Sequence, residues 1–475
     1  MDNSTIAAIA TPGGRGGIGI IKLSGSSAVS IAAAIFTPVQ QHANSSPGKW
    51  SSSDVASSRD FDSHRLNYGH VFDPDTGKKI DEVLLSVMLA PRSYTREDVV
   101  EINAHGGQVA LNSILELVCR LGARLAEPGE FTQRAFLNGR IDLTQAEAVI
   151  DIINARTDKS LQIATAQIAG KLRRSVEQIL EFLIGLLAGI EAAIDFPDDV
   201  EDNRDPRKIA AGLEAAVIKP LQTLIRHHVD GRVLRDGLRV AVVGRPNVGK
   251  SSLLNCLVQK ERAIVTDVPG TTRDMIEETL NIDGYPVILA DTAGLHSTED
   301  PIETLGIQKT IEYVNGADLV LFMIEAHRPV TAEDHGIIEQ LQPKPVIMVM
   351  NKIDLINGEK LCQLPAAWGS LDCVQISALY DRGIDQLKDR IVGSAFGEKP
   401  IDLEAVVVPN MRQKLLLDTA LEATEAVGKG LNNDTPMELI AINIQEAIDS
   451  LGRILGTNVK VDLLDEIFSR FCIGK

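Results

Sequence analysis

The segment GRPNVGKS, residues 244 to 251, is a Gly-x4-Gly-Lys-Ser run set between an apolar stretch, Leu238 to Val243, and a helical pattern beginning Ser252-Leu253-Leu254. A turn of this kind at a helix start aims several backbone N–H groups at one point, the geometry that cradles phosphates. Gly244 and Gly249 permit the tight path, Lys250 reaches the β and γ phosphates as a point charge, and Ser251 offers a hydroxyl to magnesium. Four further segments follow in order: TTRD (271 to 274), DTAG (291 to 294), NKID (351 to 354) and SAL (377 to 379). Together they specify a GTP-hydrolysing switch.

Each companion adds its own chemistry. Asp291 ends the strand-like run Tyr285 to Ala290 and would sit near magnesium, the Gly294 amide can sense a γ-phosphate, and Thr272 is the second candidate hydroxyl for the metal. Asp354 follows the buried-strand pattern Pro345 to Met350, and a carboxylate there accepts two N–H donors from a guanine edge, which adenine lacks. Asn351 and Lys352 brace the base and the loop, and the Ser377–Ala378 backbone offers N–H to the guanine carbonyl. The nucleotide set is thus Asn247, Val248, Gly249, Lys250, Ser251, Ser252, Thr266, Asp267, Val268, Pro269, Gly270, Thr271, Thr272, Asp291, Thr292, Ala293, Gly294, Asn351, Lys352, Ile353, Asp354, Ser377, Ala378 and Leu379.

The position after DTAG, where many GTPases carry a Gln that orients the attacking water, is Leu295, which cannot hydrogen-bond. Glu303 is the candidate replacement, with Glu299 and Asp300 as rivals, and Lys250 is its catalytic companion. Asn247 is the other unusual choice. Its amide oxygen could hold a monovalent cation beside the phosphates, standing in for an arginine finger worth roughly four to seven kcal/mol of barrier.

The elements that must position these residues change character along the chain. Residues 1 to 139 alternate short strand-like runs (Thr5 to Ala10, Ile18 to Leu23, Val83 to Leu89, Val99 to Asn103) with Gly-rich turns and a helix near Leu111 to Leu121, the pattern of a small α+β domain. Within it, residues 41 to 64 hold eight serines and little apolar patterning, which reads as a flexible insertion. Helical spacing runs from Leu143 to Ile194 and again over 411 to 471, so residues 140 to 235 and 400 to 475 read as two parts of one helical domain. Between them, 236 to 399 alternates strands and helices as a parallel α/β sheet does. The fold class is therefore multidomain: an α+β N-terminal domain, an α-helical middle domain, and an inserted α/β P-loop GTPase domain of Ras-like type.

A net charge of -18 over 475 residues argues against broad, non-specific nucleic-acid binding. The basic cluster Arg226, His227, His228, Arg232 and Arg235 reads as a solvated linker face. Five cysteines without a Cys-x-x-Cys pair imply neither a disulfide framework nor a zinc site. The N-terminus has no signal-peptide pattern and no apolar run is long enough for a membrane span, so a cytoplasmic location is expected.

The stretches TPGGRGGIGIIKLSG (11 to 25), SYTREDVVEINAHGG (93 to 107), PGEFTQRAFLNGRIDLTQAEAVIDII (128 to 153), EAAIDFPDD (191 to 199) and the terminal FCIGK, taken with the nucleotide motifs, resemble the MnmE family, also called TrmE, of tRNA-modification GTPases. The resemblance covers nearly the whole chain. It implies a homodimer that works with the flavoprotein MnmG in a heterotetramer and installs an aminomethyl or carboxymethylaminomethyl group at C5 of the wobble uridine, position 34, of certain tRNAs. The carbon would come from 5-formyltetrahydrofolate or a related one-carbon tetrahydrofolate held by the N-terminal domain. Carried over residue by residue, the folate site falls on Lys22, Glu101, Arg140 and Lys475, with Cys472 near the one-carbon site. The resemblance also implies potassium on Asn247, Thr266, Val268 and Thr271, magnesium on Ser251 and Thr272, and the water-orienting carboxylate at Glu303. A pterin edge suits Glu101 and cationic side chains suit a glutamate tail. Two other readings share the nucleotide motifs: a ribosome-assembly GTPase, which should carry a basic RNA-binding appendage, and a folate-binding regulatory GTPase with no direct part in modification.

Overall fold

The computed structural model describes residues 4–14, 16–39, 61–196, 206–261, 277–290, 314–341, 343–356, 362–396, 407–433 and 435–475. They belong to two compact units, one formed by Met1–Ile150 with Gly452–Lys475 and the other by Asp151–Leu451. Most of the Ser-rich segment expected to be an insertion lies outside the described residues.

The first unit contains β1 (Ile6–Ile9), β2 (Ile18–Ser24), α1 (Ala28–Ile35), β3 (Phe36–Pro38), β4 (Arg65–Phe72), β5 (Lys79–Met88), β6 (Val99–His105), α2 (Gln108–Arg120), β7 (Arg124–Leu125), α3 (Glu130–Leu137) and the start of α4 (Leu143–Asn154). Its seven strands pair in the order β3-β4-β5-β6-β2-β1-β7. Period-two alternation turns Ile21, Leu23, Leu85, Val87, Val100 and Ile102 to one face, where they pack with Ile31 and Ile35 of α1 and Ile114 and Val118 of α2. The same alternation puts Lys22 and Glu101 on the opposite face, directly across the β2–β6 pair. There β1 contributes Ile6 and Ala8, which cluster with Phe131 of α3 and with Tyr94. The C-terminal helix Val461–Ser469 belongs to this unit too, its Leu464 and Phe468 packing on Leu143 and Ala146.

In the second unit, α5 (Asp158–Ile168), α6 (Lys171–Asp195) and α7 (Pro206–Leu213) lead through a π turn, Glu214–Ile218, into α8 (Lys219–Asp236). The continuous helical spacing from Leu143 is interrupted twice, by a capping box between Thr157 and Ser160 and by Gly170 in the left-handed conformation. There follow β8 (Leu238–Val243), α9 (Lys250–Glu261), β9 (Glu277–Ile282), β10 (Tyr285–Ala290), β11 (Leu319–Glu325), α10 (Ala332–Leu341), β12 (Val346–Asn351), β13 (Asp372–Gln375), α11 (Ile384–Phe396), α12 (Met411–Asn432) and α13 (Met437–Leu455). The six strands pair in the order β13-β12-β11-β8-β10-β9, parallel except for β9. Helices from the two sides of this insert meet, since α7 and α8 pack on α12.

The basic cluster on α8 is only in part the solvated face expected of it: Arg226 is exposed, but other members are engaged. His228 is buried with its Nδ1 2.7 Å from Pro409 O, Arg232 pairs with Asp318 beside the first residues of β8, and Arg235 stands 3.8 Å from Asp151. These side chains tie α8 to its neighbours because α8 carries the chain straight into the sheet. The start of α5 and the residues just before it grip the β9–β10 hairpin: Arg156 donates to Thr279 Oγ1, and Lys159 Nζ donates to Asp283 O at 2.9 Å while lying 3.2 Å from the Tyr285 ring centroid.

Candidate functional sites

The central strand β8 is flanked by β10 and β11, so residues 244–249 leave the sheet at the carboxyl ends of parallel strands, where α/β folds bind ligands. Helix α9 starts at Lys250, as the phosphate-cradle reading requires. Gly249 adopts φ 104, and a Cβ there would overlap the Asn351 amide nitrogen, so both backbone conformation and space demand glycine. Lys250 Nζ donates to Gly244 O at 2.7 Å and Arg245 O at 2.9 Å, which folds the ammonium over the loop.

The guanine-recognition segments are bound to that loop by side chains. Asn351 Nδ2 donates to Val248 O at 2.8 Å while its Oδ1 accepts from Ala378 N at 3.0 Å, so one buried amide joins the phosphate loop to the SAL segment. Ser377 Oγ donates to Asp354 Oδ1 at 2.5 Å, orienting the carboxylate, whereas Leu379 is exposed. Lys352, held at φ 65, donates through Nζ to Asn247 O at 2.7 Å, and Asn247 itself sits at φ 64. Ser251 and Ser252 are exposed at the helix start. Thr266, Asp267, Val268, Pro269, Gly270, Thr271, Thr272, Asp291, Thr292, Ala293, Gly294 and Glu303 lie outside the described residues.

Two buried carboxylates that motif reading missed hold the loop from behind. Glu325, the last residue of β11 and 5% exposed, pairs with Lys352 and lies 3.3 Å from Arg328. Burial pushes its carboxyl up, but the Lys352 hydrogen bond and charge, aided by Arg328, outweigh that and hold it below the ordinary glutamate value. Asp334, 0% exposed, accepts Arg245 Nε at 2.8 Å on one oxygen and the Thr331 N–H and hydroxyl, each at 2.9 Å, on the other. It is the third residue of α10 in a capping arrangement, and TAED (331 to 334) was the available signal. Glu325 had none, because a charge closing the apolar run LVLFMIE looks like any strand exit.

The N-terminal unit brings Lys22, Glu101, Arg140 and Lys475 into one electrostatic neighbourhood. Lys22 Nζ lies 4.5 Å from the Tyr94 ring centroid and 5.0 Å from that of Phe131, and the Arg140 guanidinium lies 4.7 Å from Tyr94. Burial lowers the Lys22 pKa to about 8; Glu101 opposes the fall, and Lys475 and Arg140 add to it. The tail reaches this place within its own chain. Phe131 N donates to Lys475 O at 3.2 Å and Gly129 N to Cys472 O at 3.4 Å, so the chain terminus meets the N-terminal end of α3, where the helix dipole favours negative charge. Gly474 has φ 90 and passes so close to β1 that a Cβ would stand 2.8 Å from Ala10 Cα. Cys472 is exposed.

A buried network fixes the frame of this site. Glu130 receives Arg124 Nη2 at 2.5 Å and Arg134 Nη2 at 3.0 Å, Arg134 Nη1 reaches Glu97 at 3.1 Å, and Glu97 accepts Ser24 Oγ at 2.6 Å. α3, β2 and the Tyr94 loop are thereby locked together. Tyr94, Phe131 and the network residues Glu97, Glu130 and Arg134 lie inside the quoted SYTRE and EFTQR stretches, but nothing in their spacing singles them out.

A strand, phosphate-cradling turn and helix combined with an Asn-Lys-x-Asp segment bonded to that turn define a P-loop GTPase. A family model described as the MnmE helical domain matches residues 143–472, and one described as the GTP-binding protein TrmE N-terminus matches residues 5–140. The chain belongs to the MnmE (TrmE) family, and it is a GTPase. Among similar proteins, the tRNA modification GTPase MnmE of Moorella thermoacetica is 44% identical over 484 residues, covering 100% of both chains. Those of Carboxydothermus hydrogenoformans (43% over 476 residues, 100% of both) and Acetivibrio thermocellus (44% over 479 residues, 99% of both) are alike in extent. No helix among the described residues is long and apolar enough to cross a membrane.

Proposed function

We propose that this GTPase acts in tRNA modification, using GTP turnover to drive addition of an aminomethyl or carboxymethylaminomethyl group to C5 of the wobble uridine, together with a flavoprotein partner of the MnmG type. The full-length likeness to proteins named tRNA modification GTPase supports the first part. The observation that carries the chemistry is the convergence of Lys22, Glu101, Arg140 and the chain terminus around Tyr94 and Phe131. A one-carbon tetrahydrofolate fits this donor set. Glu101 accepts from the N–H edge of a pterin, the rings supply flat apolar surface, and Lys22 and Arg140 receive carboxylates. Cys472, exposed three residues before the terminus, is the nucleophile this reading sets near the one-carbon unit.

In the nucleotide site, Asp354 and the Ala378 N–H select guanine, Lys250 neutralises the β and γ phosphates, and Ser251 with Thr272 holds magnesium. Asn247 with Thr266, Val268 and Thr271 holds potassium, which supplies positive charge at the phosphates, and Glu303 orients the attacking water. Potassium-bridged pairing of nucleotide domains in a homodimer follows from that arrangement. The nucleotide domain then comprises 236–399, set within helical segments 140–235 and 400–475. The test is GTP turnover in potassium and in sodium, with Asn247→Ala and Glu303→Ala alongside. Turnover should be potassium-dependent, lost with Glu303→Ala at nearly unchanged GTP affinity, and equal rates in both salts would remove the cation role. Wobble-uridine analysis of cells lacking the protein tests the modification role directly.

A further inference from the structure

Arg92, Arg96 and Arg140 line one concavity of about 570 Å³ together with His64 and Tyr94, and no carboxylate among the described residues lines it. The described hydrogen bonds of these guanidiniums run to backbone: Arg96 Nη1 donates to Asn138 O at 2.9 Å and Arg140 Nη1 to Tyr94 O at 3.1 Å. Three guanidiniums in one concavity with no carboxylate among its described lining residues, on a chain whose net charge is -18, offer bidentate donors suited to an anion from outside. Arg140 and Tyr94 also belong to the Lys22 site, since the one ring receives both Lys22 Nζ at 4.5 Å and the Arg140 guanidinium at 4.7 Å. The concavity is therefore the continuation of that site beyond Arg140.

We propose that the Arg92–Arg96–Arg140 concavity is a subsite for a chain of carboxylates, the oligo-γ-glutamyl extension of a tetrahydrofolate whose first carboxylates are held at Lys22 and Arg140. This inference rests on the one-carbon reading above. A flexible tail carrying one carboxylate per residue matches a few separated guanidiniums in an open concavity, whereas a nucleic-acid backbone calls for an extended basic stripe.

The experiment is calorimetric titration of the full chain with 5-formyltetrahydrofolate as the monoglutamate and as the pentaglutamate. Two largely exposed carboxylate–guanidinium pairs should make the pentaglutamate bind about three- to thirtyfold more tightly, with a preference that falls as salt rises. In the Arg92→Ala/Arg96→Ala double variant that preference should vanish while monoglutamate affinity stays at the wild-type level, which also shows that the unit is folded. The Arg92→Lys/Arg96→Lys variant should recover part of it. Equal affinity of the wild type for the two folates, or a preference that survives in the alanine variant, overturns the inference while leaving the one-carbon reading intact. A chain that binds neither folate overturns both. Loss of tRNA binding in the alanine variant with the pentaglutamate preference unchanged assigns the arginines to nucleic acid and likewise overturns it.

Discussion

In the nucleotide site most donors come from one strand–turn–helix unit, Leu238 to Glu261; the side chains of Asn351 and Lys352 are bonded to that turn directly, and Asn351 links it to the Ala378 N–H. In the N-terminal site Lys22, Tyr94, Glu101, Phe131, Arg140 and Lys475 come from separate places in the chain and meet only because strand register, a buried arginine–glutamate network and a docked terminus bring them together. The first arrangement is affected by changes outside its loop mainly where a side chain braces that loop, because backbone N–H groups cradle the phosphates. The second is exposed to any change that shifts one contributor, the terminus above all. A frayed tail is ordinarily dispensable, but this one bonds the start of α3 and threads a glycine past β1.

Deleting residues 472 to 475 should therefore have the largest and most one-sided effect. Folate binding is expected to fall at least about a hundredfold and tRNA modification to be lost, since Phe131 N loses its partner and the Lys475 ammonium disappears. GTP turnover should stay near wild type, because this segment belongs to the compact unit that lacks the nucleotide motifs. Parallel calorimetry and phosphate-release assays read both. A loss of GTP turnover of comparable size would break the contrast between the two regions.

The reciprocal break is Gly249→Ala. Its Cβ would displace the Asn351 amide and its φ of 104 strains any L side chain, so a cost of roughly 3 kcal/mol, about a hundredfold in GTP affinity, is expected. Folate binding should not change. A smaller effect of the same sign should follow Glu325→Gln, which leaves Lys352 without its buried counter-charge; about a tenfold loss of GTP affinity is expected, with Glu325→Asp intermediate. Nucleotide titration of the two variants measures it, and wild-type affinity in Glu325→Gln would show that Asn247 alone suffices to place Lys352.

The contrast also explains what could be read from residues alone. The GTPase motifs are contiguous, so their spacing announces a strand, a loop and a helix, and β8 and β12 lie where the apolar runs put them. β4 has no clean inward apolar alternation to read: its apolar Leu66 and Tyr68 are exposed, while Gly69 and Val71 are the buried positions. The Lys22–Glu101 pairing depends on register between distant strands, and the part played by Tyr94 and Phe131 depends on where α3 and the tail settle, neither of which has a local signal. The α8 basic cluster misled for the same reason, since Asp318 and Pro409, the groups that hold Arg232 and His228, are far away in sequence.

The smallest expected effect concerns protonation and sharpens the comparison at a single atom. Burial has brought the Lys22 pKa from 10.5 to about 8, with Arg140 and Lys475 adding to the fall and Glu101 resisting it. Between those two values the unfolded chain holds a proton that the folded chain has released, so this group's contribution to stability rises with pH across the window from about 8 to 10.5. Binding runs the other way. The ammonium that would receive a carboxylate is charged below about pH 8 and neutral above it, so folate affinity should fall by up to about tenfold between roughly pH 7 and 9. A bound carboxylate raises the Lys22 pKa in turn, so the complex should take up protons near pH 8, which calorimetry in buffers of different ionisation enthalpy detects. In Lys22→Arg the guanidinium stays charged throughout, and the slope should flatten even if the affinity at pH 7 drops because the fork fits the space between Tyr94 and Phe131 poorly. GTP affinity, measured in the same buffers, should show no such change in Lys22→Arg. An unchanged folate slope in that variant would mean that another group carries the titration and that Lys22 is not the receiving cation.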